Sequence, residues 1–303
     1  MKELLFVKFR EKLEEALNEI IPEHAKVHFH ETGKNNGVIY QAVTIMEEGS
    51  MISPDIHLEE AFREYSEGRE IEEIAEEILS LWKEHNHDTG FDVDDFSDYE
   101  KAKMRLRFRI INYEENAERL ARMPHIPFLD LAVVFFYHLE SMGENVQGSV
   151  QVENNHLELW GIDKAELMDT AIKNTLETMD ASCVGICKVL SDLMGQNICE
   201  EAFGEVAEPN MFVLSNRENY FGAAVLYNTK LLQKVSEKMN GDFIVLPSSV
   251  HEVIVMPSGD WTDYEELNSI ISQINEEQVA REEVLSDHLY YYDAGMGELK
   301  IPC

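Results

Sequence analysis

Ten residues, KAKMRLRFRI (Lys101–Ile110), alternate cationic and apolar side chains with a single break in size at Ala102. A period of two over that length fits a half-buried β-strand, because successive strand side chains leave on opposite faces. In such a strand Lys101, Lys103, Arg105, Arg107 and Arg109 form one cationic face, opposite Met104, Leu106, Phe108 and Ile110. The apolar face demands a packed layer beneath it. The cationic face has two readings. Aligned arginines suit bidentate contacts to phosphate or carboxylate, which makes Arg105, Arg107 and Arg109 a candidate anion strip. The preferred reading is internal docking, because Glu47–Glu100 holds 19 acidic residues against three basic ones (Arg63, Arg69 and Lys83).

The elements around this strand set the fold class. Upstream, Leu5, Phe6, Phe9, Leu13, Ala16, Leu17 and Ile20 form one broad helical face that Pro22 closes. AKVHFHE and VIYQAVTIM read as strands joined across TGKNNG, where Asn36-Gly37 is a strong turn pair. Two acidic helices follow, near 57–66 and 70–85, the second with Ile71, Ile74, Ile78, Leu79 and Trp82 as its buried stripe. The Asp-rich stretch from Asn86 to Ser97 is the expected domain boundary. This gives an αββαα unit over 1–95 and a larger unit over 96–303. In the larger unit FLDLAVVFFYHLE, GSVQVENNHLELW, MFVLS, DFIVLP and VHEVIVMP read as strands, with helices near 163, 221–239 and 262–277. Two β-α-β-β-α blocks, 104–180 and 210–303, suggest a weak structural duplication. The fold class is α+β with mainly antiparallel sheets. The segment 180–208 carries no readable pattern.

The blocks KNNGV, MEEGSMISPDIHLEE, YEKAKMRLRFRIINYE, PHIPFLDLAVVFFY, NHLELWGI, MFVLSNRENYFGAAVLY, DFIVLPSSVHEVIVMP and QVAREEVLSDHLYYYD run through nearly the whole chain. In order and spacing they resemble a clostridial, gut-bacterial family of proteins of unknown function. That resemblance implies a bacterial, cytoplasmic protein and carries no catalytic or binding residue with it.

Charge narrows the function class. With 25 Lys and Arg against 59 Asp and Glu, the formal net charge is −34. Such a surface repels DNA, RNA and anionic membrane faces, so direct nucleic-acid binding is not expected. No stretch approaches 18 uncharged apolar residues, so no membrane span is expected. MKELLFVKFREKLEEALNEII is broken by charges every few residues and lacks the apolar centre of a signal peptide. With four cysteines, reduced thiols in a cytoplasm follow.

Candidate chemistry is sparse. LPSSVHE holds Ser248, Ser249, His251 and Glu252 between two apolar runs. A serine nucleophile needs a base in reach and a group that orients the base. No G-x-S-x-G elbow surrounds either serine. Strand alternation places His251 and Glu252 on opposite faces, so a polar hairpin is the expectation; His288 is the distant residue that could complete a hydrolase site. His85, His87 and Asp88 have a metal-like spacing but bring no further ligands of their own, and no metal is expected. Cys183 and Cys187 share a helical face if that stretch is helical and are expected as buried thiols. No P-loop and no G-x-G-x-x-G occurs, and no cofactor is expected. The chain therefore reads as a non-catalytic binding or interaction protein, with a protein partner as one expectation. A hydrolase assembled from distant residues is the first alternative. An acidic mimic that occupies a nucleic-acid-binding protein is the second.

Overall fold

A computed structural model describes residues 2–48, 53–86, 91–139, 148–194, 210–247, 249–260 and 263–302. The chain divides into two compact units, one running to Ser97 and one comprising Asp98–His138 together with the residues from Ser149 onward.

The first unit contains α1 (Lys2–Ile20), β1 (Ala25–Gly33), β2 (Ile39–Glu47), a two-residue β3 (Ile56–His57), α2 (Glu59–Ser66), α3 (Ile71–Asn86) and α4 (Val93–Ser97). The strands form an antiparallel sheet in the order β1-β2-β3. The hairpin closes because Asn36 (φ 55°) and Gly37 (φ 67°) both take the left-handed backbone that tight turns require. Phe9, Leu13 and Leu17 of α1, Val43 and Ile45 of β2, and Ile74, Ile78 and Trp82 of α3 make the core. The apolar stripe of α1 is wider than its packed face: Leu5 and Ile20, at its edges, remain exposed.

The second unit runs α5 (Tyr99–Ala102), β4 (Leu106–Asn112), α6 (Ala117–Leu120), β5 (His125–Phe128), β6 (Leu131–Leu139), β7 (Gly148–Gln151), α7 (Asn154–Trp160), α8 (Lys164–Thr178), β8 (Ala181–Gly185), α9 (Ile186–Met194), β9 (Phe212–Asn216), α10 (Thr229–Met239), β10 (Phe243–Leu246), β11 (Val253–Pro257), α11 (Tyr264–Gln278), β12 (Tyr290–Asp293) and β13 (Glu298–Lys300). One sheet has the order β4-β6-β5, with β7 also on β6; the other has the order β13-β12-β10-β11-β9-β8. The protein is therefore α+β with mostly antiparallel sheets. Within both sheets, three successive strands order themselves first, third, second: β4-β6-β5 and β9-β11-β10.

Between Asp98 and Trp160 three segments depart from sequence expectation, each for a local reason. The cationic strand begins only at Leu106: Asp98 caps α5 by accepting the Glu100 amide, Glu100 pairs with Lys103, and Lys101–Arg105 lie in helical turns. Only Arg107 and Arg109 keep the alternation on β4. In FLDLAVVFFYHLE the strand, β6, begins only at Leu131, because Phe128 ends β5 and Leu129 (φ 58°) turns the chain between the two. NNHLELW is a helix, its start fixed by the Glu153 amide donating to His156 Nδ1. Asp163 caps α8 through the Glu166 amide. That helix is stitched to β4: Thr175 Oγ1 accepts the Phe108 amide at 2.9 Å, and Asn174 Nδ2 donates to the Lys103 and Leu106 carbonyls. Leu106, Phe108 and Ile110 pair in register with Tyr137, Phe135 and Val133 of β6, all buried. Arg107 and Arg109 occupy the other face, in register with Phe136 and Val134. Among the described residues no helix is long and apolar enough to cross a membrane.

Candidate functional site

Strand alternation alone puts Arg107 and Arg109 side by side, and their surroundings leave both incompletely satisfied. Arg107 donates through Nη1 to the carbonyls of Met104 and Leu106, each at 3.0 Å. Arg109 donates through Nη2 to Gln151 Oε1 at 2.8 Å, and its Nε is buried without any partner. Among the described residues neither guanidinium forms an ion pair, in a chain with 59 acidic side chains. Burial pushes the Arg107 guanidinium below its ordinary range, with Glu218 countering it only in part. Burial likewise brings Arg109 down to about 10. A partly buried charge without an ion-pair partner is costly, which makes the two arginines a candidate site.

Aromatic rings surround Arg109. Its guanidinium carbon lies 4.4 Å from the Phe221 ring centroid and 5.8 Å from that of Phe136. Phe221 in turn stacks on His251, with centroids 5.6 Å apart and planes 10° from parallel. The loop Asn216–Gly222 holds this arrangement. Asn216 clamps it from both sides, Nδ2 donating to the Tyr220 carbonyl at 2.8 Å and Oδ1 accepting the Tyr220 amide at 3.1 Å. Asn219 (φ 49°) and Phe221 (φ 51°) both have left-handed backbones. For a bulky phenylalanine that conformation costs roughly 1–3 kcal/mol, and such strain persists where the surroundings over-determine it.

Beside this loop lies a cleft of about 260 Å³, walled by Arg107, Phe136, His138, Tyr220 and Phe221 and also lined by Glu218 and the ion pair of Arg217 with Asp180 at 2.9 Å. Ligand pockets usually run from roughly 300 Å³ upward, so the space fits a ligand smaller than a nucleotide.

The SSVHE segment sits in the connection between β10 and β11, ahead of the strand that begins at Val253, so strand alternation does not extend to His251 and Glu252. Ser248 lies outside the described residues. The Ser249 hydroxyl accepts the His251 amide at 3.1 Å and, among the described residues, bonds to no imidazole nitrogen. His251 Nδ1 accepts the Phe221 amide at 3.2 Å, and its Nε2 faces Glu283 at 3.6 Å. The backbone of this segment is tied on both sides, Val250 donating to Glu283 and accepting from Ala223.

His288 belongs to a different constellation. Asp130 Oδ2 accepts from Ser286 Oγ at 2.6 Å and meets His288 Nδ1 at 3.1 Å, while Oδ1 accepts the Tyr290 hydroxyl at 2.7 Å. Serine and histidine both bond to the carboxylate, so no base is aimed at the Ser286 hydroxyl, which is the reverse of a catalytic relay. Burial, followed by the Asp130 charge, raises the Tyr290 phenol well above its ordinary range. Burial also raises the Tyr220 phenol. A phenol that keeps its proton longer in the folded state contributes stability that is complete below about pH 10 and lost as the pH rises beyond it. The melting temperature should therefore fall as the pH rises past about 10, and Tyr290→Phe should make that fall shallower; an equal slope in both proteins would count against the assignment.

The remaining candidates do not join these groups. His87 and Asp88 lie outside the described residues, as does the His85 side chain. Among the described residues no cluster of three or more His, Cys, Asp or Glu could hold a metal. Cys183 is a free thiol, whereas Cys187 is disulfide-bonded, so the expectation of a thiol fails at Cys187. Arg105 lies 5.8 Å from the Tyr137 ring, away from the Arg107 cleft lining. The acidic helices have counter-charges of their own: Arg63 pairs with Glu60 and Glu67, and Arg69 with Glu64, Glu73 and Glu77.

Among protein families, the profile of DUF5688, a family of unknown function, matches residues 6–294. No curated protein and no solved structure gives a significant match.

Proposed function

Since the chain belongs to DUF5688, a family of unknown function, we propose from its own chemistry that it is a non-catalytic binding protein whose second unit holds a small anion in the Arg107 cleft. One observation carries the reading. In a chain of net charge −34, Arg107 lines a cleft with its Nη1 committed to two backbone carbonyls and no carboxylate paired with it among the described residues. A guanidinium fork in a partly desolvated cleft is suited to carboxylate or phosphate, each charge-assisted bond being worth about 1.5–3 kcal/mol. The arrangement at Ser249, His251, Ser286 and His288 supports binding over hydrolysis, because among the described residues no imidazole base opposes the Ser249 or the Ser286 hydroxyl. Convergence of five carboxylates on Arg63 and Arg69 weighs against the acidic helices acting as a nucleic-acid mimic. A cytoplasmic location in a clostridial bacterium belongs to the same proposal, on the family resemblance rather than on reduced thiols, since Cys187 is disulfide-bonded.

Thermal unfolding in the presence of small carboxylates and phosphates tests it. At least one should raise the melting temperature of the wild-type chain, following RT ln(1 + [L]/Kd), which is about 2.7 kcal/mol at a hundredfold excess over Kd. Arg107→Gln should abolish that rise. A rise that survives in Arg107→Gln would refute the site, and no rise with any anion would refute the function.

A further inference from the structure

Arg109 does not line the cleft, yet it shares Arg107's strand face two residues further on. At about 3.3 Å per residue, their Cα atoms are separated by roughly 7 Å. Between cleft and guanidinium stand Phe221 and Phe136, which line the cleft on one side and lie against Arg109 on the other. Arg109 keeps a buried Nε with no partner, and Gln151 supplies only one acceptor to its five-donor fork. Arg119 adds a further like charge to the neighbourhood, which Glu153 offsets only in part. The Phe221 ring covers this cation, 4.4 Å from the guanidinium carbon, so a rotation of that side chain would uncover a donor at the cost of its stacking on His251.

We infer that the ligand is a two-headed anion, one charged group on Arg107 and the other on Arg109, with the Phe221 ring displaced to admit the second. This rests on the reading of the Arg107 cleft as an anion site. It narrows the ligand to molecules such as short dicarboxylates or linear polyphosphates, whose shared chemistry is two oxyanion ends a few ångströms apart. A second charge-assisted fork should strengthen binding about 10- to 100-fold over a single-headed counterpart.

Calorimetric titration of the full chain at low ionic strength separates the alternatives, with acetate against glutarate and orthophosphate against tripolyphosphate. One two-headed probe should bind about 10- to 100-fold more tightly than its single-headed partner, and which pair shows the gap identifies carboxylate or phosphate as the source. In Arg109→Met the preference should vanish, while the ligand-free melting temperature stays level or rises, because a partly buried charge with no ion-pair partner and an unpartnered buried Nε have been removed. Arg109→Gln, polar and uncharged, gives the same readout should the methionine variant not fold. Equal affinity for one- and two-headed probes, or a preference that survives both Arg109 variants, would overturn the inference and leave the Arg107 site standing. No binding by any probe would overturn both.

Discussion

Gly222→Ala is expected to destabilise the second unit by about 3–4 kcal/mol, at the upper end of what overpacking costs. A Cβ at this position would lie 2.1 Å from Ser215 Oγ, 2.3 Å from the His251 carbonyl oxygen and 2.9 Å from the Asn216 amide nitrogen. Two of those three atoms are backbone, so no rotamer change can make room. Ser215 Oγ is itself held by donating to the His251 carbonyl at 2.7 Å. The Asn216–Gly222 loop and the SSVHE segment therefore meet at a point that only glycine allows. For a unit of this size the loss corresponds to a melting temperature lower by roughly 10 °C. Gly185→Ala, where the added Cβ meets nothing within 4 Å, serves as the matched control and should stay close to wild type. Equal melting temperatures for the two variants would show that the loop can move away from its neighbour.

Asp130→Ala should be of similar size, about 4 kcal/mol. Three bonds converge on this carboxylate, from Ser286, His288 and Tyr290. Alanine leaves the hydroxyls of the buried Ser286 and Tyr290 without their acceptor, at about 1–3 kcal/mol for each unsatisfied group. Ser286 Oγ accepts the His288 amide as well, so the loss extends into the backbone ahead of β12. Asp130→Asn keeps one acceptor oxygen and should cost distinctly less. Without the carboxylate, the part of the Tyr290 shift that comes from its charge disappears, leaving the part due to burial. Chemical denaturation of the three proteins gives the stabilities, and absorbance at alkaline pH follows the phenol. An alanine variant as stable as the asparagine one would mean that the hub is decorative.

Local chemistry was legible wherever the deciding residues are close in sequence. The β1–β2 hairpin follows from Asn36-Gly37, the core stripe of α3 from its spacing, and β4 from alternation beyond Leu106. The same alternation misled ahead of Leu106, because period two in Lys101–Arg105 is outweighed by the Asp98 cap and the Glu100–Lys103 pair. Long-range groupings were not legible in this way. Asp130 lies between two apolar runs, and its three partners are 156 to 160 residues away. A clue was present all the same, since Ser286, His288 and Tyr290 recur at every second position, as residues sharing one face of an extended chain must. Tyr220 and Phe221 offered less: NRENYFG has the composition of a turn, and nothing in it points to Arg109, more than 100 residues earlier. His251, a candidate base by its sequence neighbours, is a stacking surface and hydrogen-bond acceptor for Phe221.

The most direct test of the anion site is a nitrogen–proton spectrum of the full chain labelled with ¹⁵N at arginine. Arg107 and Arg109 Nε resonances are assigned by their disappearance in Arg107→Gln and Arg109→Met. Adding the tightest-binding anion of the thermal screen should shift the Arg107 Nε resonance in a saturable way, and the Arg109 resonance with it if the anion is two-headed. Movement confined to the exposed Arg217, or no movement at either β4 arginine, would contradict the account.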